Sequence, residues 1–271
     1  MESRSQKSEA GSAALLRRRF NRAATTYDQY ADIQLQALEL LIARLQPIDE
    51  PAMTLELGCG TGNYTRLLLA HFPRTRLLSL DFSEAMLVQA REKINESPRD
   101  YAARLALLCQ DGESFLAAKS ARFDLITANA TLQWFADLPR ALALIRAGLQ
   151  PGGQLLTTIF GRRSLAELEE GLQAVIGEQM HVAAMRFPDY PELAAMLTTV
   201  FAEVEISEHR LSRQFSGLSA LLRHFRYTGT GGAARAAGFT PRHYRELSRW
   251  FRDNYGGFQV SFQVLVVRCQ N

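Results

Sequence analysis

The sequence predicts an α/β fold with a mainly parallel sheet covered by helices on both faces. Three observations carry that prediction. Short apolar runs alternate with amphipathic segments from about Met53 to Phe160, as in strand–helix–strand units. A turn with three glycines follows the first run and opens a helix. Near the C-terminus, Phe258, Val260, Phe262, Val264 and Val266 alternate with Gln259, Ser261, Gln263 and Leu265, a period-two strand.

Each element has its own warrant. Residues 1–12 are small and polar, which predicts a flexible terminus. From Leu15 the pattern is helical, and residues 13–50 read as N-terminal helices. Leu35, Leu38, Ile42 and Leu45 recur at steps of three and four, predicting one apolar helix face that Pro47 and Pro51 end. Met53–Leu57 is a strand, Tyr64–His71 a helix and Arg76–Leu80 a strand. Ser83 can cap a helix reaching about Ile94. Leu105–Cys109 and Phe123–Ala128 are strands, and Leu138–Leu149 is a helix. Pro151-Gly152-Gly153 reads as a turn before a strand over Gln154–Phe160. Val204–Phe215 is the next strand. Between it and the last, residues 216–257 are basic and mostly helical, broken at Gly229, Gly231 and Gly232, and read as an inserted cap.

Composition bounds the function. A chain of 271 residues that is 47% apolar and 22% charged buries a full core, which excludes collagen-like, mainly disordered and disulfide-built classes. No apolar run reaches the ~20 residues of a membrane span. The N-terminus has no apolar h-region, so no secretory signal is read there. Cys59, Cys109 and Cys269 are too few and too scattered for a disulfide framework or a zinc site, which points to a reducing cytoplasm. The net charge of +3 hides an asymmetry: residues 209–255 carry nine arginines against Glu246 and Asp253, a net of +7. Such a stretch suits an acidic partner or substrate as well as a solvated helix face.

The strongest motif is Glu56-Leu57-Gly58-Cys59-Gly60-Thr61-Gly62. Small residues at a strand-to-helix turn let the backbone approach a ligand closely, and the helix amides supply donors. Asp81 ends the next strand about twenty residues on, where a carboxylate can accept both ribose hydroxyls. Asp111-Gly112 ends the third strand, where a side chain can meet an adenine edge. A dinucleotide fingerprint is G-x-G-x-x-G, whereas here Asn63 follows a G-x-G-x-G. This pattern, preceded by Glu56, resembles the Rossmann-like methyltransferases that bind S-adenosylmethionine. The resemblance implies a seven-stranded sheet with the last strand antiparallel, and places the cofactor core in residues 51–160 of a domain spanning 13–271. It implies S-adenosylmethionine as cofactor and S-adenosylhomocysteine as product. Glu56 would face the amino end of the methionine moiety, and Phe82 and Met86 of Asp81-Phe82-Ser83-Glu84-Ala85-Met86 would pack on adenine. Asn129 falls in the loop after the fourth strand. The cofactor set is thus Glu56, Gly58, Cys59, Gly60, Gly62, Asp81, Phe82, Ser83, Met86, Asp111, Gly112 and Asn129.

The acceptor is narrowed by what the sequence lacks. Asn129-Ala130-Thr131-Leu132 has no Pro-Pro, against base methylation of nucleic acid. The five histidines are scattered, and no cluster offers a metal. A carboxylate, ionised at neutral pH, needs no general base. It needs positioning and a counter-charge, which a planar guanidinium provides. Phe20-Asn21-Arg22-Ala23-Ala24-Thr25-Thr26-Tyr27-Asp28 with Ala31-Asp32-Ile33-Gln34, Thr131-Leu132-Gln133-Trp134-Phe135, Phe160 through Leu168, and Leu222 through Gly229 resemble the malonyl-acyl carrier protein O-methyltransferases of biotin synthesis. The resemblance implies methyl transfer to the free carboxylate of malonyl-acyl carrier protein. Tyr27, Arg163, Arg223 and Arg226 would then position substrate. Arg242, Arg245, Arg249 and Arg252 share one predicted helix face and would meet the acidic carrier. No membrane or nucleic-acid partner is expected. The other readings are a methyltransferase of another small carboxylate or a quinone precursor, and a non-catalytic carrier-protein- or RNA-binding module.

Overall fold

Each apolar run read from the sequence is a strand in the computed structural model, which describes residues 4–45, 48–118, 121–177, 180–230 and 239–271. The strands are β1 (Met53–Leu57), β2 (Arg76–Asp81), β3 (Leu105–Cys109), β4 (Phe123–Asn129), β5 (Leu149–Phe160), β6 (Glu203–Phe215) and β7 (Phe258–Gln270). They form one sheet in the order β3-β2-β1-β4-β5-β7-β6. β1 to β5 pair in parallel, and β7 runs antiparallel to both β5 and β6. The strand order reverses between β1 and β4, so their carboxyl ends open a crevice where ligands of such sheets bind.

Helices cover both faces. α1 (Arg4–Ala23), α2 (Tyr27–Tyr30) and α3 (Asp32–Ile42) precede the sheet. α4 (Asn63–His71), α5 (Glu84–Asn95), α6 (Gly112–Ala118) and α7 (Leu138–Gly148) follow β1 to β4. α8 (Ala166–Ile176) and α9 (Tyr190–Val200) lie between β5 and β6. α10 (Leu218–Tyr227) and α11 (Pro241–Tyr255) lie between β6 and β7, in the stretch expected to form a cap. The strand pleat sorts the core. Leu125, Leu156, Val264 and Val266 pack with α3, α4, α8 and α11, while their neighbours Ile126, Leu155, Leu265 and Val267 pack with α6, α7 and α9.

α1 begins at Arg4, within the small, polar N-terminal stretch; residues 1–3 lie outside the described residues. Two expectations need correction. The buried face of α3 is Ile33, Gln34, Ala37, Leu38 and Leu41, and Leu35 is 37% exposed. The helix is apolar on most sides, so three-and-four spacing does not single out one stripe. Pro151-Gly152-Gly153 is part of β5, whose register to β4 shifts between Phe123 and Leu125. A Cβ on Gly153 would come 3.0 Å from the Phe123 carbonyl oxygen, so glycine permits this irregular pairing. Pro47, Gly231 and Gly232 lie outside the described residues.

Candidate active site

The crevice at the ends of β1 and β4 is an open cavity walled by Tyr27 and Gln34 from the N-terminal helices, Glu56 and Gly60 from β1 and its loop, and Asn129 from β4. The glycine loop has left-handed backbone at Gly58 (φ 72°), Gly60 (φ 54°) and Gly62 (φ 82°). Added Cβ atoms would fare differently. On Gly58 one would meet Thr131 Cγ2 at 2.3 Å; on Gly60 it would meet nothing within 4 Å. Gly58 is thus dictated by packing against the loop after β4, whereas Gly60 leaves open space beside the backbone.

Two buried carboxylates frame the loop. Glu56 is 1% exposed, and its Oε2 accepts from Ser79 Oγ (2.6 Å) and Thr65 Oγ1 (2.7 Å). The parallel register Glu56↔Ser79 places the first donor. Burial pushes the Glu56 carboxyl up to about 7, although the two hydroxyls and their hydrogen bonds favour the ion. Asp81 ends β2 and accepts from the Gly60 amide through Oδ2 and the Ser83 amide through Oδ1, both at 2.8 Å. Burial raises it to about 6 against those two bonds. One side chain therefore shapes the loop and the start of α5 together, with lone pairs left on both oxygens.

The N-terminal segment lies over this floor. Asp28 accepts from Thr61 Oγ1 (2.6 Å), Asn63 Nδ2 (2.9 Å) and Lys93 Nζ (2.6 Å). Burial opposes its ionisation, but the bonds from Lys93 and Thr61 outweigh that and hold the carboxyl below its ordinary range. Asn21 accepts from Ser83 Oγ at 2.6 Å, and the Phe20 ring stands 5.8 Å from Phe82 and 6.1 Å from Trp134. The segment is also tied to β6 and α10: Arg213 of β6 pairs with Asp32, and the Tyr30 and Tyr227 rings lie 4.8 Å apart. Burial, then the charges of Asp81 and Asp28, push the Tyr27 hydroxyl well above its ordinary range, so it stays a donor.

The sequence-derived residues divide clearly. Tyr27, Glu56, Gly58, Cys59, Gly60 and Asn129 line the cavity. Gly62 caps α4, and Ser83 caps α5 by accepting from the Met86 amide at 3.2 Å. Asp81, Phe82, Ser83 and Met86 sit at the adjoining end of β2, beside α1. Asp111 is exposed and accepts from the Ser114 amide (2.8 Å), and Gly112 begins α6. The expected substrate arginines are not brought to the cavity. Arg163, Arg223 and Arg226 are exposed, and none lines its wall. Leu218, Leu221, His224 and Phe225 take the buried face of α10, which turns Arg223 and Arg226 outward. Arg162, the other member of the pair, is held by Glu192 at 2.7 Å. Arg242, Arg245, Arg249 and Arg252 do share an exposed face of α11, opposite buried Leu247, Ser248 and Phe251. Asp28, Thr61, Lys93 and the side chain of Gln34 had no role in the sequence reading. Asp28 and Gln34 were visible as motif members, but their contacts are long-range.

A methyltransferase-domain family model matches residues 55–155. The malonyl-[acyl-carrier protein] O-methyltransferase of Methylococcus capsulatus is 33% identical over 83% of this chain and 78% of its own. The chain belongs to the malonyl-[acyl-carrier protein] O-methyltransferase family. A second family member, from Ilyobacter polytropus, is 29% identical over 88% of this chain and 85% of its own. Solved structures share the fold. The YcgJ protein of Bacillus subtilis superposes with a TM-score of 0.60 at 17% identity, covering 87% of this chain and 98% of that one. A methyltransferase of Thermotoga maritima does so with a TM-score of 0.55 at 20% identity, covering 94% and 99%. The chain is therefore a methyltransferase with the Rossmann-like seven-stranded sheet. Among the described residues, no group of three or more His, Cys, Asp or Glu could hold a metal, and no helix is long and apolar enough to cross a membrane.

Proposed function

We propose that this methyltransferase moves the methyl group of S-adenosylmethionine to the free carboxylate of a malonyl group on acyl carrier protein, giving the methyl ester. The observation that carries the reading is similarity to relatives named for this reaction over 88% of the chain, well beyond the common core of residues 55–155.

The residues present fit the methyl donor. Open space beside Gly60 admits a ligand against the backbone. Asp81 would accept the ribose hydroxyls with its remaining lone pairs, and Glu56 would face the methionine amino group. Gly58, Cys59, Gly62 and Asn129 would complete the methionine side, and Phe82, Ser83, Met86, Asp111 and Gly112 the adenosine side. When bound, S-adenosylmethionine supplies an electrophilic methyl, to which a carboxylate oxygen bonds as the methyl–sulfur bond breaks and the electron pair stays on sulfur.

The chain's own contribution is holding and excluding. No proton has to be removed from a carboxylate, which accords with a cavity wall that contains no histidine. Tyr27, whose hydroxyl stays protonated, would donate a hydrogen bond to a ligand in the cavity, and α2 and α3 wall that side of it. The arginine face of α11 would meet the acidic carrier, while Arg163, Arg223 and Arg226 are exposed outside the cavity wall. Initial rates with malonyl-acyl carrier protein, malonyl-pantetheine and malonate test this. The carrier-bound substrate should be preferred through KM; equal use of free malonate would contradict it.

A further inference from the structure

The cavity is built from two parts of the chain. Residues from Tyr27 to Leu38 make one side, and residues from Glu56 to Tyr64 with Asn129 make the other. Whatever ties the two sides together governs how long a ligand stays between them. One tie is the Gln34 backbone oxygen, which accepts from Asn129 Nδ2 at 3.1 Å. A second is ionic and centres on Lys93, which does not itself line the cavity. Its Nζ donates to Asp28 Oδ2 (2.6 Å), Thr61 Oγ1 (3.2 Å) and Asn63 Oδ1, so each of the three ammonium protons has an acceptor. Thr61 and Asn63 in turn donate to Asp28 Oδ1, which closes the network. Side chains from α2, the glycine loop, α4 and α5 thus meet at one point. A lysine in the last turn of a helix ordinarily extends into water beside the terminal carbonyls. Lys93 is in the last turn of α5, but its side chain is only 17% exposed and reaches across to α2. The residue type fits the task. Of the chain's 31 basic residues only three are lysines, and oxygens converging from three partners suit a compact ammonium better than the planar fork of arginine.

We infer that Lys93 is a positioning residue for the methyl donor: acting through Asp28, it holds the Tyr27–Leu38 side of the cavity against the glycine loop and so sets how fast S-adenosylmethionine escapes. This rests on the placement of the methyl donor in this cavity and not on the identity of the acceptor. The groups joined by the network are neighbours of groups that meet the ligand. Asp28 follows Tyr27, whose side chain lines the cavity, and Thr61 lies between Gly60 and Gly62. Releasing Asp28 therefore frees Tyr27 from its place over the loop. The Lys93 side chain is largely buried and that of Asp28 is 43% exposed. Such a pair is strong enough to change the open fraction of the segment severalfold, and too weak to decide whether the domain folds.

The test uses full-length protein with Lys93→Met, which removes the charge and keeps the side-chain length, with Asp28→Asn, and with both together. Hydrogen exchange over residues 27–38 of the ligand-free protein reads opening of the segment. Chasing labelled S-adenosylmethionine with excess S-adenosylhomocysteine reads the dissociation rate, and thermal melting reports folding. Arg91→Met, which breaks the exposed ion pair to Glu84 on the same helix, is the control. Lys93→Met should speed both exchange and dissociation about fivefold, and Asp28→Asn alone should do the same. The double variant should be no faster than either single one, and Arg91→Met should move neither rate. Unmoved exchange in a folded Lys93→Met protein overturns the inference. Faster exchange with an unmoved dissociation rate overturns it as well, because the segment then does not retain the cofactor. So do single effects that add in full, or an Arg91→Met protein that matches Lys93→Met. Wild-type protein that fails to bind S-adenosylmethionine overturns the placement of the methyl donor itself.

Discussion

Glu56→Gln separates what the site does for the fold from what it does for the ligand. The wild-type carboxyl is buried and raised to about 7 from an ordinary 4.5. The folded state therefore holds a proton that the unfolded state has released between those values. Stability is full below about 4.5 and falls as pH rises through about 7. At about 1.4 kcal/mol per pH unit, the gap amounts to about 3 kcal/mol of stability lost by pH 8. Glutamine accepts from Ser79 and Thr65 through one oxygen, as Glu56 Oε2 does, and does not titrate. The assay is urea unfolding of ligand-free protein from pH 5 to pH 8.5. Relative to wild type, Glu56→Gln should gain up to about 3 kcal/mol across that range, while its affinity for S-adenosylmethionine falls. Parallel pH curves for the two proteins would refute the assignment of the buried charge.

The glycines of the loop give opposite outcomes. Gly58→Ala drives a Cβ to 2.3 Å from Thr131 and should cost about 2–4 kcal/mol of stability. Gly60→Ala meets open space, so it should melt only slightly lower, by about 1 kcal/mol of backbone strain, yet bind S-adenosylmethionine much more weakly. Asp28→Ala removes the tie to Thr61, Asn63 and Lys93 at a partly exposed site. It should cost about 1 kcal/mol and speed limited proteolysis within residues 13–45 of the ligand-free protein. Reversing charge at Arg245 and Arg249 should raise KM for the carrier about tenfold at low salt, with the difference shrinking as ionic strength rises.

Much of the fold was legible because the strands alternate cleanly and the glycine loop, Ser83 cap and cap insertion each have local signatures. What was misread depends on packing. The stripe through Leu35 failed because α3 carries apolar residues around most of its surface, and only the docked sheet selects Gln34 and Leu41 over Leu35. The Pro151 turn became strand because β4 offers a partner for an irregular pairing that no local pattern reveals. The carboxylates Glu56 and Asp81 were visible as candidates because strand ends and spacing place them beside the glycine loop. The candidate substrate arginines were chosen on chemical expectation rather than geometry, and they do not line the cavity. Arg223 and Arg226 lie outward because Leu221 and Phe225 go inward, and Arg162 is taken up by Glu192. Asp28 and Gln34 act across more than thirty and ninety residues of chain, through Asp28 with Thr61 and the Gln34 backbone with Asn129, distances at which sequence spacing is silent.

The central claim is tested most directly by intact-mass measurement of malonyl-acyl carrier protein after incubation with the protein and S-adenosylmethionine. A gain of one methylene, reversed by an esterase and absent with Asp81→Ala, is the predicted result. No gain from wild-type protein that still binds S-adenosylmethionine tightly would contradict it.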